Sequence, residues 1–232
     1  MIITIDGPAG VGKSTLARRL AEELRFTFLD TGAMYRSVAL VGIRANVAWD
    51  IPEELAQLAR ELTIDFSGQE VILSHKDYFA QEVVTSDLRS PDTTAKTQYA
   101  ANNRTVREIL GQKQREIGTA KGDLVTEGRD QGTLIFPQAE CKIFLTATPK
   151  ERAKRRYRQL KDRHIEADFA TILAEQEKRD TEDETREYGR LYPAKGANIV
   201  DSSNLTEEET FEKLLEIVSK QKERNQKSTT NP

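Results

Sequence analysis

Hydrophobic positions in this chain fall into short unbroken runs that alternate with stretches of helical period. Ile2-Ile3-Thr4-Ile5 is too short for a helix and reads as a buried strand. Leu16, Leu20 and Leu24 then recur at helical spacing with Ala17 and Ala21 beside them, while Arg18, Arg19, Glu22 and Glu23 face away. Phe26-Thr27-Phe28-Leu29 predicts a second strand, and Asp30-Thr31-Gly32 opens a helix running through Tyr35, Val38 and Val41. Pro52 begins a short helix, after which the texture changes. Thr63-Ile64-Asp65-Phe66, the polar pair Ser67-Gly68 and Val71-Ile72-Leu73 predict a hairpin, so residues 63–86 are expected to form a small β-rich insert.

Alternation resumes beyond the insert. Ser90-Pro91 supplies an N-cap followed by proline at the first helical position, opening a helical pair that extends to Ile117. Asp123 to Glu127 is a strand ending in Gly128-Arg129-Asp130, and Lys142 to Thr146 is another. Thr148-Pro149-Lys150-Glu151 reads as a capping box for the first of two charged helices reaching about Tyr188. Ile199-Val200 is the last strand, and Thr206 with Glu209 caps a final helix carrying Phe211, Leu214, Leu215 and Val218. The polar end from Lys220, and 226–232 above all, is expected to be disordered. The fold class expected is α/β: a mostly parallel sheet of the P-loop NTPase type, covered by helices on both faces within residues 1–225.

In such sheets ligands bind at the carboxyl ends of the strands, which directs attention to the loop leaving the first strand. Gly7-Pro8-Ala9-Gly10-Val11-Gly12-Lys13-Ser14-Thr15 fits G-x-x-x-x-G-K-[ST], placed between a strand and a helix as that loop requires. Its glycines let backbone N–H groups turn toward phosphate oxygens, the helix N-terminus adds partial positive charge, and Lys13 reaches the terminal phosphates. Ser14 is the candidate Mg²⁺ ligand. Binding of a nucleoside triphosphate is thus the first functional expectation.

Composition narrows the classes. A net charge of −3 with 31% charged residues gives no overall pull toward nucleic acid or an anionic membrane. No apolar stretch approaches the roughly 18 residues of a membrane span. The single Cys141, with only His75 and His164, leaves neither a disulfide framework nor a zinc cluster, in keeping with a soluble, unprocessed cytoplasmic protein.

Charge is uneven locally. Between residues 150 and 163, eight cationic side chains (Lys150, Arg152, Lys154, Arg155, Arg156, Arg158, Lys161 and Arg163) face only Glu151 and Asp162. Three readings stay open: a solvated helix face, an RNA-binding arm, and a lid whose arginines neutralise a transferred phosphoryl group. Arg179, Asp183 and Arg186 fall at i, i+4 and i+7, so two guanidiniums are expected to flank one carboxylate; an ordinary helix salt bridge is the alternative. The pattern offers no histidine base. Phosphoryl transfer to a phosphate needs none, because a phosphate monoester with a second pKa near about 6 is largely deprotonated at neutral pH. Two rivals fit less well: a hydroxyl kinase would want a carboxylate aimed at the acceptor, and a GTP switch would need an [NT]-K-x-D element that does not occur.

Taken together, ITIDGPAGVGKST at the start, LDTGAMYR at 29–36, LRSPDTTAKTQYAA at 88–101, VREIL at 106–110, EGRDQGTLIFPQAECKIFLTA at 127–147 and the arginines and aspartate of 179–186 resemble the bacterial cytidylate kinases. These are nucleoside monophosphate kinases of the P-loop class, and the resemblance covers nearly the whole chain. It implies ATP-dependent phosphorylation of CMP and dCMP with Mg²⁺. It implies that the β-rich insert binds the monophosphate and that 150–165 forms a short lid. By that resemblance Arg36, Arg129 and Arg186 hold the acceptor phosphate beside Thr31, while Thr97, Arg107 and Asp130 read the cytosine. Arg179 and Asp183 approach the ribose, and Glu127 has a secondary role toward Mg²⁺. Lys13, Arg129, Arg186 and the lid residues Arg155 and Arg158 are the catalytic candidates. A monomer is expected, with no nucleic-acid or membrane partner. The chain departs from the family pattern at Asp77-Tyr78-Phe79-Ala80 and Leu88, and carries Thr97 where serine is commoner.

Overall fold

The computed structural model describes residues 1–162 and 164–229. In chain order it contains β1 (Ile2–Asp6), α1 (Lys13–Leu24), β2 (Thr27–Asp30), α2 (Thr31–Arg44), α3 (Pro52–Glu61), β3 (Thr63–Ser67), β4 (Glu70–His75) and β5 (Phe79–Val83). There follow α4 (Pro91–Asn102), α5 (Arg104–Lys121), β6 (Leu124–Gly128), β7 (Cys141–Thr146), α6 (Pro149–Asp162), α7 (Phe169–Thr185), β8 (Asn198–Asp201) and α8 (Glu207–Thr229). Five strands form one sheet in the order β2-β6-β1-β7-β8, and β3-β4-β5 form a second.

The chain groups into two compact units, one of Met1–Leu29 with the chain from Gly118 onward, the other of Asp30–Ile117. In the first, β1 lies at the centre and pairs in parallel with β6 and β7, while β7 pairs in parallel with β8. Ile3 and Ile5 of β1, Val125 of β6, and Ile143 and Leu145 of β7 are buried with Leu16, Leu20, Phe211 and Leu214. The apolar stripe of α1 is therefore the one its spacing indicates. Register matters as much as burial: Ile5 is paired with Glu127 and Asp6 with Gly128, so the loop leaving β1 starts beside the polar end of β6.

Two helix starts follow their sequence signals closely and one follows in part. The Ser90 hydroxyl accepts from the Thr93 N–H at 3.2 Å. Thr206 and Glu209 form a reciprocal box, Glu209 N–H to Thr206 Oγ1 at 3.2 Å and Thr206 N–H to Glu209 Oε2 at 2.8 Å. At Thr148 only half the box exists. The Glu151 N–H reaches Thr148 Oγ1 at 3.3 Å, while the Thr148 N–H goes to Ser203 Oγ and the Glu151 carboxylate to Lys154 and Arg155.

The expected disorder from Lys220 is corrected within the described residues, because α8 continues to Thr229. Its extra turns are held by the Lys220–Glu216 pair at 2.5 Å and by Lys222 over the Phe26 ring at 4.9 Å. Residues 230–232, the last of that expected tail, lie outside the described residues, as does Arg163 of the basic stretch.

In the second unit the hairpin is β3 and β4, paired from Thr63–Ser74 to Ser67–Glu70, and β5 adds a third strand that the sequence pattern does not announce. Arg44 of α2 ties that sheet down, donating to Glu82 at 2.8 Å and lying over the Phe79 ring at 4.0 Å.

Candidate active site

The loop from Gly7 to Thr15 joins β1 to α1 through backbone that only certain residues tolerate. A Cβ on Gly7 would sit 2.0 Å from the Leu145 carbonyl oxygen, and Gly10 has φ +75°. These two positions let the loop curl tightly against the end of β7. Lys13, the first residue of α1, is buried, and its ammonium donates to the Pro8 carbonyl of its own loop at 2.8 Å. Burial pushes its pKa down to about 7, and the nearby Arg129 charge pushes the same way against the carboxylates of Glu127, Asp183 and Asp6. An amine so placed gains from any anion that enters the loop.

Ser14 donates to Glu127 Oε1 at 2.8 Å, so the hydroxyl of α1 and the carboxylate ending β6 stand side by side. Two hard oxygen groups at that spacing suit a Mg²⁺ ion that completes its shell with water and phosphate oxygens. Among the described residues no group of three or more His, Cys, Asp or Glu that could hold a metal ion occurs.

One residue past the end of β6 begins a charged cluster. Arg129 Nε donates to Asp183 Oδ2 at 2.6 Å, and Arg186 Nη2 donates to Asp183 Oδ1 at 2.7 Å. Burial opposes ionisation of Asp183, but the two guanidiniums outweigh it and hold the carboxyl below its ordinary range. Burial likewise opposes the Arg129 charge, and Asp183 more than offsets it. Two guanidiniums therefore do flank one carboxylate, but the second comes from Arg129, just past β6, rather than from Arg179. Arg179 is exposed and, among the described residues, has no hydrogen bond or ion pair. Helical spacing could name the face; it could not show that a residue 54 positions upstream occupies it.

Asp130 is buried at the start of a single π-helical turn, Gln131–Ile135. Asp6, the last residue of β1, anchors that turn by accepting the Gln131 and Gly132 N–H groups at 2.8 and 2.7 Å. Burial raises its pKa to about 6 in spite of these bonds. Asp6 drew no attention as a site residue in sequence. The available signal was an acid closing an apolar strand immediately before the loop.

The basic helix α6 resolves into unlike parts. Arg152 is 2% exposed and is one of the largest fully buried side chains in the chain. Its Nε donates to the Ala147 carbonyl at 3.0 Å and Nη1 to the Ala9 carbonyl at 2.9 Å, and both Nη atoms bond the Asp180 carboxylate. Arg155 is half-buried and bonds Ser202, at 3.2 Å to Oγ and 2.6 Å to the carbonyl. Arg156 and Arg158 are exposed.

The remaining candidates belong to the second unit. Arg36 bonds Asp30 at 3.3 Å, and its buried Nε has no hydrogen-bond partner among the described residues. Arg107 is buried, donates to the Ala101 carbonyl at 3.1 Å and lies 5.3 Å from the Tyr35 ring centre. Thr97 is half-buried with its hydroxyl on the Thr93 carbonyl at 2.6 Å, and Thr31 is buried at the start of α2.

A central parallel sheet whose first strand runs through a glycine-rich loop into a helix bearing a buried lysine and a carboxylate-bonded serine defines a P-loop nucleotide-binding protein. Comparison with known proteins narrows the class. The profile of the cytidylate kinase family matches residues 3–220, and the chain belongs to that family. Among its relatives, the cytidylate kinase of Rhodopirellula baltica is 44% identical over 218 residues, covering 94% of this chain and 92% of that protein. The cytidylate kinase of Caldanaerobacter subterraneus is 41% identical over 218 residues, covering 94% of each. The crystal structure of an uncharacterized protein from Eubacterium ventriosum shares the fold alone, with a TM-score of 0.54 at 10% identity over 95% of this chain and 98% of that one.

Proposed function

We propose that this protein transfers the γ-phosphoryl group of ATP to CMP, and also to dCMP, giving the diphosphate and ADP. The observation that carries the reading is the presence, in one compact unit, of a donor loop with buried Lys13 and of the Arg129–Asp183–Arg186 cluster. Lys13 gives up its bond to Pro8 for the terminal phosphates of ATP. Ser14 and Glu127 would hold Mg²⁺, which would supply charge neutralisation of the transferred group. Arg129 and Arg186, kept apart and oriented by Asp183, receive the acceptor phosphate.

No general base is required, because the acceptor oxygen is already ionised at neutral pH. Catalysis then rests on alignment and on cations aimed at the developing charge. We assign Arg36, Thr31, Thr97, Arg107 and Asp130 to recognition of the cytidine monophosphate, with Arg179 and Asp183 toward its ribose. On the basic helix, Arg158 is the catalytic candidate whose guanidinium is exposed, whereas Arg155 has Ser202 to release first. Among the described residues no helix is long and apolar enough to cross a membrane. We read the enzyme as a cytoplasmic monomer acting on small nucleotides, without nucleic acid.

Coupled ADP release with CMP, dCMP, UMP, AMP and GMP as acceptors tests the assignment. CMP and dCMP are expected to turn over fastest; faster turnover with AMP or GMP would overturn it.

A further inference from the structure

A buried arginine in the first turn of a largely exposed basic helix needs a reason. Arg152 spends four donor contacts inside the protein, one each on the Ala147 and Ala9 carbonyls and two on Asp180. The three partners lie on three elements: the chain just past β7, the phosphate loop, and α7. Gly10 packs in the same place, since a Cβ there would lie 3.0 Å from Gln176 Nε2 of α7 and 3.8 Å from the Arg152 Cβ. Gln176 is itself buried, and its Oε1 has no hydrogen-bond partner among the described residues.

The bond to Ala9 has a directional consequence. In a planar trans peptide the carbonyl and the following N–H point opposite ways. Drawing the Ala9 oxygen toward Arg152 therefore turns the Gly10 N–H away from it, the outward-carbonyl, inward-amide arrangement a phosphate cradle needs. The same guanidinium grips Asp180, one turn of α7 before Asp183, the residue that holds Arg129 and Arg186. A single rigid, planar group thus joins the backbone of the phosphate loop to the helix that carries Asp183.

We propose that Arg152 is a positioning residue that sets the phosphate loop and the Asp183-bearing face of α7 in one frame, so that donor and acceptor sites are aligned together. The inference rests on the reading that Asp183 and Arg186 serve the acceptor.

The test must separate positioning from packing. Replacing a buried ion pair by apolar side chains of similar volume commonly preserves stability. The double variant R152M/D180L is therefore expected to melt within a few degrees of the wild type while losing about 10- to 100-fold in kcat/KM for both ATP and CMP, as small misplacements of reacting groups do. Asp180→Asn, which keeps the shape, should show a smaller loss of the same two-sided kind. Wild-type kinetics in the double variant, or a loss confined to one nucleotide, would overturn the proposal. Should the double variant fail to fold, Asp180→Asn decides by the same criterion. Asp183→Ala distinguishes this inference from the reading beneath it. An unchanged CMP profile in Asp183→Ala removes the acceptor assignment, whereas impaired Asp183→Ala beside normal R152M/D180L removes only the role of Arg152.

Discussion

The phosphate loop and helix α6 are both cationic and stand at the ends of neighbouring strands, yet they use charge in opposite ways. The loop region holds one lysine, buried and bonded to its own backbone. Helix α6 carries seven basic side chains, of which only Arg152 is buried. The loop's single cation is desolvated, so it has much to gain from a phosphate. Most of the helix's cations are hydrated, and each contributes little until something brings it to a ligand and strips its water. Charge density along a chain therefore marks a region, while burial marks which charge is prepared for work.

Three experiments would break or sharpen that contrast. The largest effect belongs to the loop. Lys13→Ala should lower kcat by about 10³-fold or more while far-UV circular dichroism stays unchanged; normal turnover would mean the loop is not the donor cradle. Next comes a division within α6. Arg158→Ala should lower kcat by about 10²-fold with little change in melting temperature, as expected of an exposed side chain that acts only on substrate. Arg155→Ala, which cuts the bonds to Ser202, should instead cost about 1 kcal/mol of stability, read as a melting shift of a few degrees. Identical behaviour of the two variants in both measurements would erase the distinction.

The third effect is about tenfold per pH unit. The Lys13 amine, held at about 7 by burial, is mostly neutral in the free protein above that pH. Phosphate oxygens favour its ammonium form, so nucleotide binding must take up a proton there. At about pH 8 the phosphates are already ionised. Titration calorimetry with ATP in buffers of different ionisation enthalpy should then show uptake approaching one proton, with affinity weakening about tenfold for each pH unit above about 7. Absence of uptake in the wild type would contradict the buried, partly neutral amine, and Lys13→Ala should show none.

Much of the fold was legible because its signals are local. The apolar stripe of α1, the caps at Ser90 and Thr206 and the β3–β4 hairpin each depend on residues a few positions apart. Strand β5 was not legible, since Phe79–Val83 has only one buried side chain and pairs through its backbone. The end of α8 misled for a similar reason: a polar stretch looks unsupported until Phe26, from the opposite end of the chain, is found beneath Lys222.

The amino-acid sequence by itself determined the phosphate loop, the alternation of strands and helices, and the identity of the charged residues at the strand ends, because each is written within one turn or one strand. Only the tertiary structure decided which of those charges meet. Asp183 takes Arg129 in place of Arg179, Arg152 leaves the solvent for Asp180 and Ala9, and Asp6 holds the turn after Asp130. A buried charge is tolerated only where partners converge on it, and that convergence is a property of how distant segments pack.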